Sequence, residues 1–324
     1  MVSVTGLSLL SLMVLFASYI NHFGLFTFIR GLTGFCAALI PAAMFPYVAT
    51  TAPQNKVGLY VGSIVASATL GVILGRVSMG ILTSVAGWRF SFRIFTMVII
   101  LFLFVTFFSL AKNQNKKPNN TFPLFAMYKN SIRIMLNFKA ILLLLAGFAL
   151  FFGFLGMITF LTYRLTEPPF SFSAGEIGWI SFAGLTAIIA PFSGNISQKT
   201  GILKITFPGL LVCLLSLQFM GWFESVFLIL LGLLFLFLGV YSCQPLIFLL
   251  IGENVPRESI GSASSLYILF CIGGGSLSSI MLGSVWNRFG WPGITVACTF
   301  SILISLLLMI ATRIKTDNGK MCRF

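Results

Sequence analysis

Acidic side chains are almost missing from this chain. Its 324 residues include 6 Asp and Glu against 20 Lys and Arg, and the first acid is Glu167. Histidine is down to one copy, His22, in a short loop, where it reads as a bystander. Six cysteines, Cys36, Cys213, Cys243, Cys271, Cys298 and Cys322, stand singly with no CxxC spacing, so neither a metal centre nor a disulfide frame is expected. With no cluster of His, Asp, Glu or Cys, an intramembrane enzyme has nothing to work with. We therefore expect no enzymatic activity, no metal and no cofactor.

Charge of any kind is scarce, at 8% of residues, whereas hydrophobic residues make up 58% and mean hydropathy is +1.04. A soluble domain cannot hide that much apolar surface, so the composition implies a polytopic membrane protein. Runs of about 20 apolar residues cross the roughly 30 Å hydrocarbon layer as helices. Ten are expected, near 3–20, 23–50, 57–85, 91–111, 140–163, 175–194, 203–221, 226–251, 260–284 and 291–313. The opening MVSVTGLSLLSLMVLFASYI has no basic residue ahead of its apolar stretch and reads as the first span rather than a cleaved signal.

The net charge of +14 is spread over short loops and a tail, which argues against nucleic-acid binding and for membrane topology. Ten spans place both termini on one side. With that side cytoplasmic, fourteen basic residues lie inside and only Arg89, Arg93, Arg164 and Arg288 outside, leaving Arg30 and Arg76 within spans. All five tryptophans then fall near outer span ends, where amphipathic rings prefer to sit.

A shift of 203 residues superposes PQNKVG at 53–58 on PRESIG at 256–261. The same register pairs Gly71 with Gly274, Gly80 with Gly283, and Gly87-Trp88 with Gly290-Trp291. Two copies in one direction describe a parallel repeat of the kind that builds transporter halves. The spans at 140–194 have no partner in the first half, so four helices face six. The expected organisation is an incomplete N-terminal helical half (1–111), a basic cytoplasmic linker (112–139), a six-helix C-terminal half (140–313) and a cytoplasmic tail (314–324). In the linker, Leu124, Phe125, Tyr128, Ile132, Met135 and Leu136 recur near helical spacing beside Lys129 and Arg133. That suits either a helix on the anionic inner leaflet or a solvated linker.

Several motifs resemble the major facilitator superfamily. Gly62, Gly71, Gly75-Arg76 and Gly80 resemble the fifth-helix antiporter motif G(x)8G(x)3GP(x)2GG, with Arg76 in the proline position and Met79 replacing a glycine. Arg30-Gly-Leu-Thr-Gly34 resembles the fourth-helix RxxQG motif, with Thr33 for Gln. GNISQKTG, through Gly194, Lys199 and Gly201, resembles the second copy of the GxxxDRxGR cytoplasmic loop, with Gln198 where the acid belongs. TYRL at 162–165 and GSASSLYIL at 261–269 are similar to bacterial inner-membrane arabinose-efflux and drug-export permeases, the YnfM-like group. The resemblance covers the whole chain, lacking the first two helices and the first GxxxDRxGR loop. It implies an all-α membrane fold of the major facilitator type with ten transmembrane helices. It further implies a monomeric secondary transporter of a small organic molecule, an exporter in a bacterial inner membrane, with protons as candidate coupling ion. In that fold the second, fifth and eighth spans of this chain would line a central cavity. The competing expectation is a truncated, non-transporting remnant or scaffold.

A charge in hydrocarbon costs several kcal/mol unless paired, hydrated or snorkelling, so Arg30 and Arg76 are functional candidates. For Arg30 the resemblance implies a cation near the cavity; the alternative is snorkelling to the outer headgroups. For Arg76 the small residues Gly71, Gly75 and Gly80 allow close helix approach, and the guanidinium reads as a gate or packing anchor at the seam between halves, ahead of a substrate ligand. Snorkelling toward Trp88 is again the alternative. Tyr163, Tyr241, Gln244 and Tyr267, with Arg164, Ser264 and Ser265, are the other polar cavity candidates, each equally able to serve as an interhelical hydrogen bond. No titratable carboxylate is expected at membrane depth to couple protons.

Overall fold

The computed structural model describes residues 2–53, 56–112, 124–173, 176–177, 180–256 and 259–321. Every described element is helical. The first half comprises α1 (Val2–Ala17), α2 (Phe23–Thr51), α3 (Val57–Ala86) and α4 (Trp88–Lys112). After α5 (Leu124–Leu136) come α6 (Phe138–Thr166), a 3-10 helix (Ser181–Ile188), α7 (Ile189–Thr200), α8 (Leu203–Trp222), α9 (Val226–Glu253) and α10 (Ile260–Met321).

Seven of these helices are long and apolar enough to cross a membrane, against the ten runs read from sequence. The difference arises at three places. Helix α1 and the 182–197 segment are apolar but short, and the two runs at 260–284 and 291–313 fall within one 53-residue stretch of α10. That stretch would be about 80 Å long at 1.5 Å per residue, well beyond the hydrocarbon layer. Its backbone breaks at Gly290, where φ is 58° and ψ is −149°. Only glycine populates that region comfortably.

The same break occurs 203 residues earlier. Gly87, between α3 and α4, has φ 80° and ψ 161°. The turns at the other end of the repeat also match, since Lys56 N–H donates to Pro53 O at 2.8 Å and Ser259 N–H donates to Pro256 O at 2.8 Å. Both copies therefore use one proline turn to enter a long helix and one glycine to leave it.

The run at 175–194 is not one continuous α-helix. Pro191 has no N–H to donate and its ring crowds the carbonyl four residues back, so the chain ahead of it tightens into a 3-10 helix and α-geometry resumes at Ile189, with Pro191 in the first turn of α7. Helix α6 starts on Asn137, whose side chain accepts from the N–H groups of Lys139 and Ala140. Helix α2 starts on His22, whose Nδ1 accepts from Leu25 N–H at 3.5 Å.

The core is concentrated in the second half, where α10 packs along α6 and α8 pairs with α9. Buried hydroxyls tie the part of α10 after Gly290 to α6, with Ser301 and Ser305 donating to Ala149 O and Ala146 O, both at 2.8 Å. Helices α1 to α4 contribute few buried apolar side chains among those described: Val14, Ala17, Cys36, Ala66 and Ile73. Of the linker, residues 113–123 lie outside the described residues. Residues Leu124–Leu136 form a helix, α5, in which Ile134 is buried while Ile132, Arg133, Met135 and Leu136 are exposed.

Candidate functional site

The first four helices meet the rest of the chain along α3, which packs on the 3-10 helix and α7, while α2 meets α10. The tightest point is Gly62. A Cβ there would lie 2.5 Å from Ala190 O and 2.6 Å from Pro191 Cα, so only glycine fits against that backbone. Further along, Gly184 of the 3-10 helix leaves room for Ile73, and a Cβ there would sit 2.7 Å from Ile73 Cδ1.

Beyond this contact the seam opens into a cavity of about 100 Å³. Its walls come from both halves: Val72, Ile73 and Arg76 of α3, the Phe154 to Leu165 stretch of α6, Ile177 and Ile180, and Leu233, Phe237 and Tyr241 of α9. Phe154 meets Phe237 edge-on at 5.2 Å and Tyr241 at 5.8 Å, forming an aromatic wall. Arg76 is the one charged residue of the lining, and among the described residues its guanidinium has no carboxylate or hydrogen-bond partner. The polar side chains that join it are Thr162 and Tyr241.

The other candidates are distributed differently. Arg30 is exposed on α2 and its guanidinium lies 5.5 Å from the centre of the Phe92 ring, outside the cavity lining. Tyr163 is exposed near the end of α6, against Phe160 and Trp286. Tyr267 is buried and donates to the main-chain oxygen of Gln244 at 2.9 Å, an interhelical bond. The side-chain Oε1 of Gln244 is buried without a described partner, and nothing in the structure explains it. Ser264 and Ser265 donate back to Ile260 O and Gly261 O within their own helix. Arg164 pairs with Glu224 at 3.2 Å and stacks over Phe170.

Of the α3 glycines, the close approach expected from sequence occurs at Gly62, whereas Gly71, Gly75 and Gly80 face open space. The repeat gives the reason. Gly274, the partner of Gly71, presses on the Phe148 main chain of α6, and Ser278, the partner of Gly75, touches the Gly156 position. Among the described residues no helix takes the place against α3 that α6 takes against α10. In the GNISQKTG segment, Gly194 is buried, Lys199 is exposed, and Gly201 ends α7 with φ 99°, its N–H bonded to Ser197 O at 2.8 Å. The side chain of Gln198 lies outside the described residues.

Ser173 and Glu176 form a reciprocal cap at the entrance to the seam helices. The Glu176 carboxylate accepts from Ser173 Oγ at 2.7 Å and from Ser173 N–H at 2.8 Å, which holds its carboxyl below the ordinary value of 4.5. Tyr241 is a sequence candidate, but which of the 36 phenylalanines join it is not readable from sequence, because they carry no positional signal; the packing shows that Phe154 and Phe237 share a wall.

Comparison with known proteins adds a decisive observation: a family model described as Major Facilitator Superfamily matches residues 1–279. The chain belongs to that superfamily. An uncharacterized transporter of Buchnera aphidicola (subsp. Schizaphis graminum) is 27% identical over 313 residues, covering 94% of this chain and 74% of the relative. The inner membrane transport protein YnfM of Escherichia coli is 25% identical over 317 residues, covering 97% of this chain and 74% of YnfM. Among solved structures, the major facilitator transporter FucP in its outward conformation superposes with a TM-score of 0.71 at 16% identity, covering 95% of this chain and 82% of FucP. The human organic anion transporter MFSD10 gives the same TM-score at 18% identity, covering 94% and 76%. These likenesses establish a multi-pass, all-helical member of a superfamily of membrane transporters.

Proposed function

We propose that the chain is a secondary active exporter of a small organic solute, working by alternating access in a bacterial inner membrane as a monomer with both termini cytoplasmic. The observation that carries this reading is the cavity whose walls come from both halves, next to a contact that only glycine permits. Rocking the halves about the seam would open one end as the other closes. Under the basic-residue topology, Gly62, Ala190 and Pro191 lie toward the cytoplasm and Arg76 toward the outer half of the membrane, so the described arrangement is closed inside. In this reading the ten apolar runs all span, with α1 and the broken 182–200 segment as the short ones, in four- and six-helix halves joined by residues 112–139. Arg76 stands at the seam facing the cavity, and Gly194 and Lys199 belong to the last helix of that segment, α7, which Gly201 ends toward the cytoplasm, so the expected loop motif is helical up to Thr200. Tyr241 is the cavity candidate that also lines the seam. Among the described residues of the lining none is a carboxylate, so proton coupling would rest on other groups.

The reading is tested by expressing the chain in bacterial cells and measuring accumulation of a panel of radiolabelled organic compounds. An exporter lowers accumulation of at least one compound relative to cells carrying the Gly62→Leu variant at equal membrane abundance, and a protonophore reverses the effect if protons couple. Equal accumulation of every compound would sink the transport reading and leave a membrane remnant.

A further inference from the structure

We infer that the seam cavity takes aromatic monoanions, with Arg76 as the residue that binds the anionic group. This rests on the reading of the cavity as a substrate site. The argument starts from charge. A guanidinium at membrane depth must find a counter-charge, water or hydrogen-bond acceptors. Arg76 lies ten residues before the end of α3, about 15 Å along the axis. No described residue pairs with it, and none of the side chains that share its cavity is acidic.

The carboxylates nearest in sequence to the lining are engaged elsewhere or do not line it. Glu176, next to Ile177, accepts two bonds from Ser173, and Glu167, two residues after Leu165, is exposed and not part of the wall. Glu224 is held by Arg164. Among the described residues, then, Arg76 brings the one charge to this cavity, and its side chain is also exposed.

The rest of the lining describes the body of the ligand. Phe154, Phe237 and Tyr241 form an edge-to-face and stacked cluster, and Val72, Ile73, Leu155, Ile158 and Leu233 complete an apolar wall. An aromatic ring can lie against that wall while its anionic group accepts the forked donors of Arg76. The Thr162 hydroxyl shares the space but donates its proton to Ile158 O at 3.2 Å, so Arg76 is the donor left for the anionic group. A cation would meet Arg76 with no acid to offset it, so the cavity selects by sign as well as by shape.

The probe is benzenesulfonate, which stays ionised at all working pH values, compared with benzyltrimethylammonium and benzyl alcohol. Equilibrium binding of radiolabelled benzenesulfonate is measured on the purified full chain in lipid nanodiscs. Saturable binding, displaced by unlabelled benzenesulfonate and not by the cation or the alcohol, is expected. Arg76→Gln should weaken it roughly ten- to a hundredfold, the range of one charge-assisted hydrogen-bonded contact. Arg76→Lys should fall between, and Arg30→Gln should bind as the wild type does, because Arg30 is outside the lining. Absence of saturable binding at millimolar probe, equal binding of the alcohol, or an unchanged affinity in a well-folded Arg76→Gln protein would overturn the proposal. Proteoliposome flux separates the two readings. Binding through Arg76 without flux of any probe removes the transport reading and keeps the anion site; flux of benzyltrimethylammonium without benzenesulfonate binding does the reverse.

Discussion

Replacing Gly62 by leucine perturbs the seam at the point where the halves come closest. A Cβ at 62 would lie 2.5 Å from Ala190 O, 2.7 Å from Ala190 C and 2.6 Å from Pro191 Cα, whereas ordinary contact begins at 3.4 Å. All three are main-chain or Cα atoms in α7 and cannot swing aside, so α3 must withdraw by about 1 Å for the Cβ alone and by more for leucine. Overpacking of this kind costs about 1–3 kcal/mol. If the contact forms only when the cytoplasmic end is closed, the whole cost falls on that state, and about 2 kcal/mol shifts the balance roughly thirtyfold toward the opposite one. The reporter is a cysteine at Ile158 in the cavity wall, with Cys322 replaced by serine; the five described native cysteines are buried. The rate of labelling by a membrane-impermeant maleimide from outside should fall by up to that factor in Gly62→Leu and less in Gly62→Ala. Gly71→Ala and Gly80→Ala should change it little, because nothing lies within 4 Å of a Cβ at either position. Equal effects at Gly62 and Gly71, or none at Gly62, would refute the assignment of Gly62 as the seam contact.

Gly87→Ala and Gly290→Ala place a Cβ where the backbone has φ 80° and 58° with extended ψ, and each should lower stability by about 1–3 kcal/mol, read as a fall in melting temperature in detergent. Ser305→Ala removes a buried bond to Ala146 O and should cost about 0.6 kcal/mol, the usual scale of interhelical hydrogen bonds in membranes, by denaturation in mixed micelles. The carboxyl of Glu176 is held low by Ser173, so the cap's contribution is present above pH 4.5 and disappears as pH falls through the lowered value. Proteolysis between 166 and 180 should therefore rise on acidification below pH 4.5 in the wild type and be high throughout in Glu176→Gln.

The fold was largely legible because apolar run length is a strong signal: the edges of α2, α3, α6, α8 and α9 fall within a few residues of the expected spans. The repeat at 203 residues was legible through proline and glycine, and those residues turn out to carry matched turns and matched positive-φ breaks. The run at 175–194 was harder, since hydropathy cannot distinguish α from 3-10 winding, although Pro191 was in view. At the site, Arg76 stood out because an arginine among glycines and aliphatics is costly in lipid. Of the side chains that share its cavity, Tyr241 was legible as a polar group on an expected span. Tyr267 and Gln244 drew attention as polar groups, yet one serves the other's main chain, while the aromatic wall of Phe154 and Phe237 was hidden among many phenylalanines.

The most direct test of a rocking seam is whether the cavity reaches both sides of the membrane in turn. The measurement is the labelling of Ile158→Cys by impermeant maleimide in right-side-out and in inside-out vesicles. The account predicts labelling from both sides, with Gly62→Leu shifting it toward the cytoplasmic face. Labelling from one side alone, unchanged by Gly62→Leu, would contradict it.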